Sequence, residues 1–127
     1  MSKRTKIGIS HGDINSISYE VIMKAVKDKR LLELCIPIIY GSPKVAAYHK
    51  KALDLEELNM NSIRTPDEAS NRRVNMINCI NDDIRVELGK STRQAGEASF
   101  QALQAAVADL AGNKIDALVT GPINKQN

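Results

Sequence analysis

Aromatic residues are scarce in this chain of 127 residues, which contains one phenylalanine, three tyrosines and no tryptophan. A core built from this sequence must therefore be aliphatic, made mainly of isoleucine, leucine, valine and alanine. Glycine and proline are also few, with 7 and 4 residues, and this excludes a low-complexity linker. No apolar run approaches the roughly 18 residues that a membrane span needs, so we expect no membrane partner.

Neither sign of charge is in large excess, because 18 lysines and arginines stand against 15 acidic residues and leave a net charge of +3. Two small basic clusters, residues 27–30 and Arg72–Arg73, contain no aromatic side chains that could stack on bases, so nucleic-acid binding is not expected. The apolar run after the basic N-terminus, Ile7–Ile9, is too short for the core of a signal peptide. These features favour a cytoplasmic location.

Only two cysteines are present, Cys35 and Cys79, and each lies in an apolar segment. In a cytoplasmic protein such thiols remain reduced and pack as small apolar side chains. Two cysteines so far apart, with only two histidines in the chain, do not have the spacing of a zinc site. We therefore predict buried, unreactive thiols.

Strand and helix patterns alternate along the first half of the chain. Residues 6–10 predict a buried strand, and a helix capped by Ser18 follows it and ends in the basic residues 27–30. Residues 35–40 predict a second strand, in which Pro37 should occupy the first position or an edge strand because proline lacks a donor. Ser42-Pro43 then begins a helix that extends to about residue 52.

The second half of the chain continues the alternation. After a short strand at Ile63-Arg64, the alternating apolar residues of Val74–Ile80 predict a half-exposed strand. Residues 92–111 predict a long helix, whose larger apolar residues recur at helical spacing: Phe100, Leu103, Val107 and Leu110. Residues 117–120 form the last predicted strand. This order predicts an α/β fold with a mostly parallel sheet and flanking helices.

Polar residues follow the first and the last predicted strands, in segments 10–16 and 120–125. Ligands of parallel sheets bind beyond the carboxyl ends of the strands, so the two segments predict a substrate-binding rim. Its candidate residues are His11, Asp13, Asn15, Thr120, Gly121 and Lys125. The alternative interpretation is structural, with His11 and Asp13 as turn residues and Lys125 as a solvated lysine.

Two further polar groups are not assigned to a site. His49 stands beside two lysines, and we interpret it as a surface residue. Asp82-Asp83 is interpreted as a solvated pair rather than a pair of metal ligands. The residues alone therefore indicate no complete catalytic or metal centre.

Four segments carry a resemblance to a known family. In order and at fitting distances, Lys6–Asp13, Tyr19-Glu20, Gly89–Gly96 and Ala117–Lys125 resemble the N-terminal part of the 4-hydroxythreonine-4-phosphate dehydrogenases of pyridoxal phosphate biosynthesis. The segment Gly12–Asn15 is similar to the form found in Bacteroidetes-type bacteria. The resemblance extends over essentially the whole chain.

The resemblance implies a fold similar to that of isocitrate and isopropylmalate dehydrogenases, with two α/β domains around a cleft. It implies a homodimer that oxidises 4-phosphohydroxy-L-threonine with NAD, after which the β-keto acid loses carbon dioxide on the route to pyridoxine 5'-phosphate (vitamin B6). It also implies a divalent metal (Zn, Mg or Co), held by three histidines, that polarises the reacting oxygen.

The chain departs from the family in its length and in the segment that follows the first predicted strand. The family's metal histidines and its Gly-His-Thr-Glu segment have no counterpart in residues 1–127, and His11 and His49 match no metal position. We therefore expect a truncated N-terminal α/β portion without the second domain, inactive alone and without tight binding of NAD or metal. Ser16 and Ser18 replace family glycines, which would cost about 1–2 kcal/mol each at positive φ.

Three alternatives remain at this point. The parent enzyme could act on a four-carbon acid-sugar phosphate such as threonate or erythronate 4-phosphate. The chain could instead be a non-enzymatic α/β module that binds phosphate or a partner chain through the rim, or it could have no function of its own. A sheet left with an uncovered edge also predicts self-association or low solubility.

Overall fold

The computed structural model describes residues 4–15, 17–80, 86–87, 89–90 and 92–121. In these residues, strands and helices alternate along the chain. The elements are β1 (Thr5–Ser10), α1 (Ser18–Val26), α2 (Lys29–Leu34), β2 (Cys35–Gly41), α3 (Pro43–Ala52), β3 (Met60–Ile63), a 3₁₀-helix (Pro66–Glu68), β4 (Val74–Asn78), α4 (Arg93–Ala111) and β5 (Ala117–Thr120).

The strands of the described part form one parallel sheet in the order β3-β4-β2-β1-β5. The predicted α/β fold with a mostly parallel sheet is therefore confirmed. From β1 the chain first moves towards β3 and later returns past β1 to β5. Because such crossovers are right-handed, the reversal places α4 on the face opposite to α1 and α3.

The core is aliphatic, as the composition predicts. Ile38 and Ile39 of the central strand β2 are completely buried, and the few aromatic residues contribute Tyr19 and Tyr40 to the same core. Both cysteines are free thiols. Cys35 is buried, whereas Cys79 is only partly buried.

Pro37 is the third residue of β2, so the prediction of a first position or an edge strand was wrong. β2 pairs with β1 along its length, but its pairing with β4 begins only at Ile38, opposite Asn75. The carbonyl of Pro37 accepts a hydrogen bond from the Asn75 side-chain amide at 3.3 Å. Since the N–H and C=O of a strand residue point to the same side, the missing N–H falls ahead of the β2–β4 ladder and disrupts nothing.

The strand β4 is buried on both faces, and the prediction of a half-exposed strand was wrong. It lies inside the sheet, between β3 and β2, where a parallel sheet is covered on both sides. Asn75 has no exposed surface, because its side chain bonds to the backbone of Ser70, Arg73 and Pro37. Alternation of polar and apolar residues here reflects an internal hydrogen-bonding role for Asn75 instead of exposure.

The predicted first helix ends earlier than expected, at Val26, and the basic residues Lys29 and Arg30 belong to a separate helix, α2. Asp28 then caps α2 by accepting a hydrogen bond from the backbone N–H of Arg30 at 2.9 Å. The prediction that Ser18 caps α1 was wrong. Ser18 is the first helical residue, and its hydroxyl donates to the carbonyl of His11.

The predicted long helix is confirmed as α4, which Thr92 caps by accepting a hydrogen bond from the N–H of Ala95 at 3.0 Å. Two of the larger apolar residues do not face the sheet, however, since Phe100 is 61% exposed and Val107 48% exposed. The buried positions of α4 are alanines: Ala95, Ala98, Ala102 and Ala106. Small side chains let the helix lie close to β1 and β2, whose own side chains fill the space between.

Candidate functional site

The carboxyl ends of β1 and β5 lie side by side. Ser10 is paired with Thr120 in the sheet, and the N–H of Gly121 donates to the carbonyl of Ser10 at 2.8 Å. The segment after β1, residues 11–15, is called the first loop below. It therefore meets the end of β5 at the carboxyl edge of the sheet, the edge formed by the carboxyl ends of the strands, which is where parallel sheets bind their ligands.

The six candidate residues differ in exposure. His11, Asp13 and Asn15 of the first loop are buried, and so is Gly121, whereas Thr120 is exposed. Lys125 lies outside the described residues, as do Ser16 and Asp82-Asp83. The structure thus brings five of the six candidates to one edge, with Thr120 presenting its side chain to solvent.

His11 is held by hydrogen bonds at both ring nitrogens. Nε2 lies 2.9 Å from the carbonyl of Ala98, and Nδ1 lies 2.6 Å from the hydroxyl of Tyr19. A carbonyl can only accept, so Nε2 carries the hydrogen and Nδ1 accepts from Tyr19. The Tyr19 oxygen in turn accepts from the N–H of Ser42 at 3.2 Å. Burial lowers the pKa of His11 to about 4, so its ring is neutral at pH 7.

His49 is 4% exposed, and its interpretation as a surface residue was wrong. Its Nε2 donates to the carbonyl of Ile14 at 2.8 Å, and its ring stacks on Tyr19 with centroids 5.1 Å apart. Burial lowers the pKa of His49 and raises that of Tyr19. The spacing of Val45 and His49, four residues apart on α3, placed both on one helix face and could have indicated this burial.

Asn15 fastens the first loop to a later segment. Its side chain accepts from the N–H of Glu87 at 2.7 Å and donates to the carbonyl of Lys90 at 3.1 Å, while its own carbonyl accepts from the N–H of Gly89 at 2.7 Å. The N–H of Asn15 donates to a carboxylate oxygen of Asp13 at 3.0 Å, which closes the turn. Asn15 is thus occupied by structural contacts.

Glycines permit the close packing around the first loop. Gly12 has a φ of 69°, in the left-handed region. A Cβ at Gly41 would lie 2.5 Å from the Tyr19 hydroxyl, and one at Gly121 would lie 2.9 Å from the carbonyl of His11 and against the Ser18 hydroxyl. Ser18 is helical and is not among the residues with positive φ, so the serine at this position carries no left-handed strain.

A cavity of about 530 Å³ opens beside the first loop. Its polar lining includes Asn15, Glu20 and His49, and its apolar lining includes Ile17 and Leu53. Since both histidines hold backbone carbonyls with fixed tautomers, they position the first loop rather than exchange protons with a ligand. The chemistry that the described edge offers is binding, through exposed groups such as the Thr120 hydroxyl.

The described residues do not fit a metal centre. Among them, no three histidine, cysteine, aspartate or glutamate side chains converge. His11 and His49 each use Nε2 to donate to a backbone carbonyl. In the same described residues, none of the helices is long and apolar enough to cross a membrane.

Comparison with known proteins gives consistent matches. The model of the family described as "Pyridoxal phosphate biosynthetic protein PdxA" matches residues 33–127. The chain is 48% identical over 122 residues to the 4-hydroxythreonine-4-phosphate dehydrogenase of Bacteroides thetaiotaomicron, covering 96% of this chain and 33% of that protein. It is 31% identical over 129 residues to the "Putative D-threonate 4-phosphate dehydrogenase" of Oceanobacillus iheyensis, covering 99% of this chain and 39% of that protein.

The fold agrees with a solved structure. The crystal structure of a 4-hydroxythreonine-4-phosphate dehydrogenase from Burkholderia phymatum superposes with a TM-score of 0.85 at 27% identity, covering 98% of this chain and 38% of that one. The chain thus spans between a third and two fifths of the length of these matched proteins.

Proposed function

The chain belongs to the PdxA family of pyridoxal phosphate biosynthetic proteins, and we propose that it forms the N-terminal part of a dehydrogenase acting on 4-phosphohydroxy-L-threonine. The observation that carries this proposal is the 48% identity over nearly the whole chain to the Bacteroides thetaiotaomicron enzyme of that name. The identity to the protein named for D-threonate 4-phosphate is lower, at 31%.

In the proposed reaction, bound NAD would supply the oxidising power: the secondary alcohol of the substrate would be oxidised with loss of a hydride and a proton, and the resulting β-keto acid would lose carbon dioxide. The role of this chain in the reaction is to form one wall of the substrate cleft. His11, Tyr19 and His49 hold the first loop, and the first loop contacts the end of β5. Thr120 and Lys125 are the proposed contacts for the substrate.

The proposal extends to the whole enzyme. A second α/β domain would close the cleft, two copies would form a homodimer, and the cytoplasm would be its location. NAD and a divalent metal would bind to groups outside the described residues, so the chain alone is expected to be inactive.

A chimera tests this function. The N-terminal third of the Bacteroides thetaiotaomicron enzyme is replaced by this chain, and NADH formation is followed with 4-phosphohydroxy-L-threonine and with D-threonate 4-phosphate. We expect turnover that favours the first substrate, and no NADH from this chain alone or from the enzyme without its N-terminal third. The control is the chimera carrying Gly112→Ala, which should keep full activity.

Two results would contradict the proposal. One is a chimera that unfolds cooperatively, and is therefore folded, but makes no NADH. The other is a chimera that prefers D-threonate 4-phosphate. Turnover by the 127-residue chain alone would contradict the expectation that its partner domain is required.

A further inference from the structure

A second cavity lies at the amino edge of the sheet, the edge formed by the amino ends of the strands, next to β3 and β4. Its volume is about 360 Å³, at the lower end of the range for small-molecule sites. Its floor is apolar and includes Val26 and Val74, which are 1% and 3% exposed, together with Leu32 and Leu58. We call it the basic cavity. It shares no lining residue with the cavity beside the first loop.

The rim of the basic cavity carries a local excess of positive charge. Four cationic side chains line it, against a single carboxylate, that of Glu57. The four are Lys27, Lys29, Arg72 and Arg73. Within the described part of the chain, none of these five groups forms a salt bridge. The rim therefore has cations available for an anion, above a floor that favours an apolar group.

The two arginines lie on the turn before β4, and hydrogen bonds from a buried side chain hold the backbone of this turn. The buried side chain of Asn75 accepts from the N–H of Ser70 at 2.9 Å and donates to the carbonyls of Ser70 and Arg73 at 3.2 and 3.0 Å. Asn61 bonds to Asn75 at 3.0 Å and accepts from the Arg73 guanidinium at 3.3 Å. A fixed turn lowers the entropy lost when a ligand binds to its side chains.

We propose that the basic cavity binds a small phosphomonoester with an apolar body, whose phosphate lies at the rim and whose body lies on the floor. Two neighbouring guanidinium groups and two ammonium groups suit a ligand with a phosphate dianion better than a ligand with one carboxylate, which carries less charge and fewer acceptor oxygens. The lining residues include no histidine, cysteine or hydroxyl side chain. We assign this cavity a binding role, separate from the proposed dehydrogenase cleft.

The test uses the ¹⁵N-labelled 127-residue chain and two probes, phenyl phosphate and inorganic phosphate. Phenyl phosphate should shift the amide signals of residues 26–29, 57–59 and 72–74 in a saturable way and bind about tenfold more tightly than inorganic phosphate. The double variant Lys27→Gln/Arg72→Gln should weaken binding by about tenfold or more. The matched control, Arg64→Gln/Lys114→Gln, removes the same charge from exposed positions outside the cavity and should change affinity by less than about twofold.

Folding of each variant is verified by amide signals that stay unchanged outside the cavity. The proposal is overturned if phenyl phosphate gives no saturable shifts, if it binds no better than inorganic phosphate, or if both double variants weaken binding equally. Because the assay needs neither NAD nor the dehydrogenase substrate, its failure leaves the proposed function untouched.

Discussion

The protonation of His11 is coupled to the stability of the folded chain. Burial lowers its pKa from 6.5 to about 4, so between these values the unfolded chain binds a proton that the folded chain excludes. The stabilisation is therefore complete above pH 6.5 and is lost as the pH falls towards 4, by about 3 kcal/mol in all. Urea unfolding from neutral pH down to about pH 4.5 should show this decrease, and the lowered pKa of His49 acts in the same direction.

The variant His11→Asn isolates the contribution of His11. Its amide oxygen can still accept from the Tyr19 hydroxyl, but the side chain no longer titrates in this range. We expect a smaller decrease of the free energy of unfolding between pH 6.5 and 4.5 than in the parent chain. An identical pH dependence in both proteins would show that His11 is not responsible.

The contact of Gly121 with the first loop gives a second prediction. Gly121→Ala would place a Cβ 2.9 Å from the backbone carbonyl of His11, which cannot move without shifting the loop. We expect a loss of about 1–3 kcal/mol in thermal or urea unfolding. At Gly112 the nearest atom to an added Cβ is 3.5 Å away, so Gly112→Ala should be neutral or slightly stabilising. Equal effects of the two substitutions would contradict this packing.

Single residues show where the sequence was insufficient. Asp13 behaves as a turn residue, as local chemistry predicts, and Gly12 beside it has a positive φ. Burial of His49 depends on its stacking against Tyr19, thirty residues earlier in the chain, and Ser18 contacts His11 across the loop. Such contacts form between elements, and local sequence patterns do not contain them.

At the scale of elements, periodicity predicted the main strands and helices but not which side of each is covered. The patterns of β2 and α4 located both elements. The sheet order then decided that Pro37 faces β4 ahead of the ladder and that Asn75 is internal. Helix α4 has one stripe of alanines and one stripe of larger apolar residues. The alanine stripe faces the sheet, because its small side chains allow a closer approach of the helix.

The buried alanines of α4 give a prediction for this element. Ala102 is completely buried between α4 and the sheet, so Ala102→Leu would overpack the interface. We expect it to lower the free energy of unfolding by about 1–3 kcal/mol or more. Ala108→Leu makes the same change at an exposed position of the same helix and should alter stability by about 0.5 kcal/mol or less. If the two variants were equally stable, the assignment of the buried face would be wrong.

At the scale of the whole molecule, large apolar side chains remain exposed on the last two described elements, α4 and β5. Phe100 and Val107 of α4 and Val119 of β5 are each about half exposed or more. In the described residues β5 pairs only with β1, so its other edge has unpaired backbone groups. Such an edge, next to apolar side chains, is a template for another chain.

We therefore expect the 127-residue chain to self-associate as its concentration rises, through β5. Val119→Lys places a charge on this edge and should shift the mass measured by light scattering towards the monomer. Tyr48→Lys adds the same charge to α3, at a side chain that is 44% exposed, and should leave the association unchanged. A monodisperse monomer of the parent chain at high concentration would contradict self-association, and an equal effect of the two lysines would contradict the role of β5.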